Sequence, residues 1–467
     1  MKFAKPFNLS LAVLLSLVAA LYVLFRYFSA LPLITTMSAM VVTGILAGAM
    51  LFGFWGLFRS ADQNLNLLLA LSASIFAVGM VEVFAQIYQA WEAPRADAGL
   101  SSASGDTRSL AEVIRDRRKA GEPVYGYLNP VGFEVEGLTP ISDARSFWCN
   151  ESGSYDEFTT DRFGFRNPSH LLSQDGFKPV LVALGGSFTA GCGVRNGEIM
   201  LDLLRSEFNP ATVNAAVGGS GPLQQYAILR EYIAPFKPKL VLWFYFEGGD
   251  PGLFANESRN PYLRYYLETD RDRELLERRG DLREKLVKWH ENSLNQPAEA
   301  LRVASDKPVS SILPWEKVTA VLMRSIILYR IHHFTSQLSR PRAQILGAYS
   351  DLLKRAQARV GGWGGRIIIV YVPELARYTE WVNMQPYSYR EAKPELLELF
   401  KQRNFAVIDL EEGFKNSGGD PRTLYAAGQG TGAHFNTAGN RLAANLIMKG
   451  LLLHAPDLRA CAEQVCR

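Results

Sequence analysis

Hydrophobic positions fall into two regimes along the chain. The first 90 residues hold three long apolar runs: "LSLAVLLSLVAALYVLF" (9–25), "LPLITTMSAMVVTGILAGAMLFGFWGLF" (31–58) and "LLLALSASIFAVGMVEVFAQIY" (67–88). A membrane-spanning helix needs about 20 mostly apolar residues, and each run can supply them. The pattern therefore predicts three transmembrane helices over 1–90. Lys2, Lys5 and Arg59 would lie on one side and Arg26 on the other, which puts the N-terminus in the cytoplasm and everything after about residue 90 outside. Glu82 is the costly residue of the third run and lies near its outer end. If that run does not span, the rest of the chain is cytoplasmic.

The second regime begins after a polar, non-periodic stretch, 91–108. Residues 91–122 read as a linker with one short helix over 108–122. Residues 123–178 are rich in Gly, Pro, Asn and aromatics, and predict irregular structure with short strands. From 179 the pattern becomes regular. "VLVAL" (180–184), "LVLWFYF" (240–246), "RIIIVYV" (366–372) and "FAVIDL" (405–410) are continuous apolar runs of strand length, and "VNAA" (213–216) is a shorter one. Helical stretches separate them, at 222–236, 344–360 and 391–404. Continuous apolar strands alternating with helices predict a parallel sheet covered on both faces, a doubly wound α/β/α sandwich. A charged, helical stretch at about 256–345, with an amphipathic helix over 318–338, is expected as an insertion.

Net charge is +4 over 467 residues, with Lys and Arg dispersed. This argues against nucleic-acid binding, which concentrates basic residues on one face. The four cysteines, Cys149, Cys192, Cys461 and Cys466, fit no metal-ligand spacing, and no metal or cofactor is expected. His332 and His333 are adjacent on a predicted helix, so their side chains diverge. "GGWGG" (361–365) precedes a strand, not a helix, and reads as a turn rather than a phosphate loop. The Asn-x-Ser triplets at Asn150 and Asn256 matter only where such sites are glycosylated.

In open α/β sheets, sites form at the carboxyl ends of the strands. Four polar or glycine-rich segments fall there: "GGSFTAG" after 180–184, "VGGSG" after 213–216, "EGGD" after 240–246 and "GAHFNTAGN" after 405–410. A serine, two glycine clusters and a histidine on one rim are the inventory for acyl transfer. A serine nucleophile needs a base, and the tetrahedral intermediate needs preorganised donors. Each piece alone is more often structure than chemistry: a serine in a tight turn, a histidine as a cap or surface residue before a helix.

In order, these four blocks resemble the SGNH, or GDSL-type, hydrolases. "TTDRFGFRNP" (159–168), "LVLWFYFEGGDPGLF" (240–254) and "AHFNTAGNRLAA" (433–444) are also similar to bacterial members. The resemblance covers most of 158–452. It implies a flavodoxin-like sheet in a domain spanning 123–467 and cleavage or transfer of ester-linked acyl groups. Position by position, it makes Ser187 the nucleophile and His434 the base. The backbone N–H groups of Ser187 and Gly219 become oxyanion donors.

Three departures stand out. Gly186 replaces the aspartate of Gly-Asp-Ser. Gly249 stands where an oxyanion-hole asparagine is usual, beside Asp250, whose expected role is to bond loop N–H groups. Thr431 and Gly432 occupy the places of the usual aspartate before the histidine. Asp409 and Asp420 are candidate substitutes to orient His434, or a backbone carbonyl could hold the ring. Similar bacterial members carry cysteines near Cys149 and Cys192, which implies a disulfide there. Cys461 and Cys466 could pair, unless their segment is helical and points them apart.

The expected protein is a bacterial inner-membrane, multi-pass esterase or O-acyltransferase with an extracytoplasmic domain. Its substrate would be an ester-bearing glycan of the envelope or an exported polysaccharide. A degenerate SGNH-fold scaffold that binds glycan or a membrane partner, and a lipid-directed esterase, are the alternatives.

Overall fold

A computed structural model describes residues 105–106, 108–133, 135–169, 171, 177–294, 342–378, 393–426 and 433–458. The three apolar runs of 1–90, the 318–338 helix, Cys461 and Cys466 lie outside the described residues. Among the described residues, no helix is long and apolar enough to cross a membrane.

The main sheet has five parallel strands: β4 (Leu181–Leu184), β5 (Thr212–Asn214), β6 (Leu240–Phe246), β7 (Arg366–Val372) and β8 (Ala406–Asp409). Their order is β5-β4-β6-β7-β8. Side chains alternate between two faces, as the period of two demands. Val182, Leu184, Val241, Trp243, Ile369 and Tyr371 enter one core with the helices Pro222–Ile228 and Arg342–Gly361. Leu181, Ala183, Leu242, Phe244, Ile368 and Val370 enter the other, against the helices Met200–Glu207 and Thr437–His454. Burial on both faces explains why these strands read as continuous apolar runs.

The irregular 123–178 stretch contains a second sheet, β1 (Val124–Gly126), β2 (Arg145–Phe147) and β3 (Glu157–Thr159), paired in the order β1-β2-β3. It docks on the first through one apolar cluster. Tyr127, Trp148, Cys149 and Phe158 from its side meet Ala190, Cys192 and Ala216 from the main domain. The linker helix forms over Leu110–Lys119 with a complete capping box between Ser109 and Glu112. Of the charged insertion, the described part holds the helices Asp250–Glu257, Pro261–Glu268 and Arg279–Leu294. Residues 222–236 do not form one uniform helix: Leu229–Ile233 is π-helical and Ala234–Phe236 a single 3₁₀ turn. Pro235 lacks the N–H an α-helix needs there, which accounts for the end of the helix.

Candidate active site

Ser187 begins a four-residue helical turn, Ser187–Ala190, directly after β4. The strand ends in Gly185 and Gly186, and a Cβ at Gly185 would lie 2.2 Å from Thr189 Oγ1, so the turn closes only over glycine. His434 lies just before the helix Thr437–His454, whose N-cap Asn436 accepts the Gly439 N–H at 3.0 Å. The sheet's doubly wound order brings these two ends together. Ser187 Oγ is 2.6 Å from His434 Nε2. The imidazole also packs on Phe188, ring centroids 4.6 Å apart.

Glu151 orients the imidazole, which corrects the expectation placed on Asp409. Glu151 Oε1 is 2.6 Å from His434 Nδ1, and Oε2 accepts the His434 backbone N–H at 2.9 Å. Its side chain is 4% exposed. With the Nδ1 hydrogen donated to this carboxylate, Nε2 is left with a lone pair facing the Ser187 hydroxyl. Asp409 instead caps the helix Leu410–Lys415 through the N–H groups of Glu411 and Glu412, and it pairs with Lys393 at 2.6 Å. Asp420 caps the turn Pro421–Leu424 and bonds Arg422. Both are consumed by local caps, the commonest use of an aspartate at a helix start.

Glu151 lies two residues after Cys149, in "SFWCNESGSY". Cys149 forms a disulfide with Cys192, five residues after Ser187, with Cα atoms 5.5 Å apart. The Cys192 sulfur comes within 3.8 Å of Glu151 Oε1. Glu151, Cys192 and His434 cluster as a metal site would. The sulfur is committed to the disulfide, however, so it offers no thiolate ligand.

The motif "TTDRFGFRNP" buttresses the nucleophile loop. Arg166, 3% exposed, donates to Gly191 O at 2.5 Å and Val194 O at 2.8 Å. Asp156 accepts the Gly193 N–H at 2.8 Å and lies 3.7 Å from Arg166. Burial pushes the Asp156 carboxyl up to about 7, against the attraction of Arg166. Asp161 accepts the N–H groups of Phe163 and Phe165, and Asn167 ties this turn to Asn214 at the end of β5. Gly164, at φ 90°, sits where a Cβ would be 2.2 Å from Pro140 O.

Gly219 occupies the left-handed position of the turn after β5, at φ 73°. That turn lies on the nucleophile turn: the Val217 N–H and Ser220 Oγ both donate to Gly185 O, at 3.1 and 3.0 Å. From below, Glu257 accepts the N–H groups of Gly221, Leu223 and Gln224, at 2.6, 2.9 and 3.3 Å. It is a helix N-cap supplied from another helix. Burial raises its carboxyl to about 7, opposed by these three hydrogen bonds. Asp250 is buried and accepts the Phe246 N–H at 3.1 Å, the loop role expected of it, and burial holds it well above the ordinary aspartate range. Gly249 supplies no side-chain donor.

The sequence matches no protein-family model and no curated protein. The structure is similar to solved hydrolases. An acetyl xylan esterase, AlAXEase, aligns over 58% of this chain and 100% of its own, at 12% identity and TM-score 0.30. A member of the lipolytic G-D-S-L family from Veillonella parvula aligns over 58% and 96%, also at 12% and 0.30. A lipase/acylhydrolase from Enterococcus faecalis aligns over 58% and 94%, at 14% and 0.30. What the site can do rests on its own geometry.

Proposed function

We propose that this protein is a serine ester hydrolase or O-acyltransferase with a Ser187–His434–Glu151 triad. The observation that carries this is the pair of 2.6 Å contacts made by the two ring nitrogens of His434. One holds the ring and the other faces the serine hydroxyl, as general-base activation requires. His434 takes the Ser187 proton as Oγ attacks the ester carbonyl carbon. The backbone N–H groups of Ser187 and Gly219 receive the developing oxyanion. Collapse expels the alcohol, which takes the proton from His434, and leaves an acyl-serine. Water or a sugar hydroxyl, deprotonated by His434, then takes the acyl group.

The substrate in this reading is an ester-linked acyl group, acetyl first, on envelope or exported polysaccharide. In this reading the three apolar runs before residue 90 anchor the chain in the bacterial inner membrane, with this domain outside the cytoplasm. A disulfide beside the catalytic acid supports that placement, since such bonds persist in oxidising compartments. The mutually bonded triad, with Glu151 buried beneath a half-buried Ser187 and His434, supports an enzyme over a scaffold.

The test is labelling of the purified full-length protein with a fluorophosphonate, alongside turnover of acetyl esters. Wild type is expected to label and to turn over, while Ser187→Ala and His434→Ala do neither. A folded wild type that does neither would overturn the reading.

A further inference from the structure

The oxyanion site has two backbone donors, and one more polar group borders the same space. A Cβ placed on Gly219 would have a single neighbour within 4 Å among the described residues: Nδ2 of Asn129, at 3.9 Å. Gly219 belongs to the turn that rests on Gly185, and a Cβ on Gly186 would reach Ser220 O at 3.4 Å. Asn129 Nδ2 therefore stands beside the Gly219 turn. It comes from the short-sheet segment, three residues after β1, as Glu151 does from the loop after β2.

The orientation of this amide is set by its partners. Asn129 Oδ1 accepts the Val131 N–H at 3.1 Å and Gln224 Nε2 at 2.9 Å. Asn129 Nδ2 donates one hydrogen to Gln224 Oε1 at 2.9 Å. Gln224 is fully buried and also donates to Leu138 O at 2.8 Å, so neither amide can flip without losing bonds. The second hydrogen of Asn129 Nδ2 has no partner among the described residues. A half-buried asparagine held by a buried glutamine, with one N–H unspent beside the Gly219 turn, is a preorganised donor.

We propose that Asn129 is a catalytic residue that donates this N–H to the oxyanion, beside the backbone N–H groups of Ser187 and Gly219. The inference rests on the ester-hydrolase reading above. The donor comes from a different part of the chain than the glycine-rich end of β6, and it offsets the lack of a side chain at Gly249.

The experiment compares Asn129→Asp, Asn129→Ala and Gln224→Met with wild type, all as purified full-length protein. The readouts are kcat and KM for an acetyl ester, the rate of fluorophosphonate labelling and the thermal midpoint. Asn129→Asp is isosteric and keeps the oxygen that accepts from Val131 and Gln224. It is expected to lower kcat by about 10²–10³-fold with KM little changed, since removing one oxyanion donor has that effect. Labelling slows in parallel, and the thermal midpoint falls because the bond from Nδ2 to Gln224 Oε1 is lost, so the assays are run well below it. Asn129→Ala loses kcat to a similar extent, whereas Gln224→Met keeps the amide but removes the partner that orients it, and loses less. Wild-type kcat in Asn129→Asp or in Asn129→Ala would overturn the inference while leaving the triad standing. A wild type inert to both ester and fluorophosphonate overturns the hydrolase reading and this inference with it.

Discussion

Glu151 receives both a ring N–H and a backbone N–H from His434, so one buried carboxylate sets the position and the tautomer of the base. Glu151→Gln tests that role. The amide keeps the shape but can present its nitrogen to Nδ1, favouring the tautomer with the hydrogen on Nε2, which cannot accept the serine proton. A loss of about 10⁴-fold in kcat is expected, with little change in KM, as for removal of the charge in a comparable triad. Activity within tenfold of wild type would show that the carboxylate does not orient the base. The residue was invisible as an acid because pattern reading looks for it near the histidine. Here it is 283 positions away in sequence. The signal that was present is its neighbour Cys149, whose bridge to Cys192 brings Glu151 beside the nucleophile.

The elements were more legible than the site. Each strong apolar run became a strand, because burial on both faces of a parallel sheet leaves little room for polar residues. The short strands β1, β2 and β3 were expected only as a class. Three residues each carry too little periodicity to place them. Helix Pro222–Ile228 shows how an element depends on a distant one, since its free N–H groups bind Glu257 on the helix Asp250–Glu257. The folded pKa of Glu257, about 7, lies above its ordinary 4.5. Stability associated with this group is therefore lost as pH rises from about 4.5 through 7, by on the order of 3 kcal/mol in all. Glu257→Gln is neutral at every pH, and burial holds the neighbouring Asp250 well above the ordinary aspartate range. The thermal midpoint of Glu257→Gln relative to wild type is thus expected to rise between pH 5 and pH 8. A difference that stays constant over that range would contradict the burial of an ionisable Glu257.

At the scale of the molecule, the 123–178 segment is joined to the main domain by the Cys149–Cys192 bridge, by the bonds of Arg166 and Asp156 to Gly191, Val194 and Gly193, by Asn167 to Asn214, and by apolar packing of Phe163, Phe165, Tyr127 and Trp148. The bridge closes a sequence separation of 43 residues, which chain-entropy arguments value at about 4 kcal/mol. Reduction, or a Cys149→Ala/Cys192→Ala double variant, is expected to lower stability by about 2–5 kcal/mol and to cut kcat by freeing Glu151. Denaturant unfolding and ester turnover measure the two effects. Unchanged kcat after reduction, with the fold intact, would show that packing alone holds the acid in place. The sequence by itself determined the parallel α/β architecture and the pairing of Ser187 with His434 as chemistry. Those follow from local hydrophobic period and from segments at strand ends, which short-range physics specifies. Tertiary structure alone decided which carboxylate serves the histidine and that Asn129 lies beside the Gly219 turn. These are contacts between segments far apart in the chain, and only the closing of the fold brings them within hydrogen-bond range.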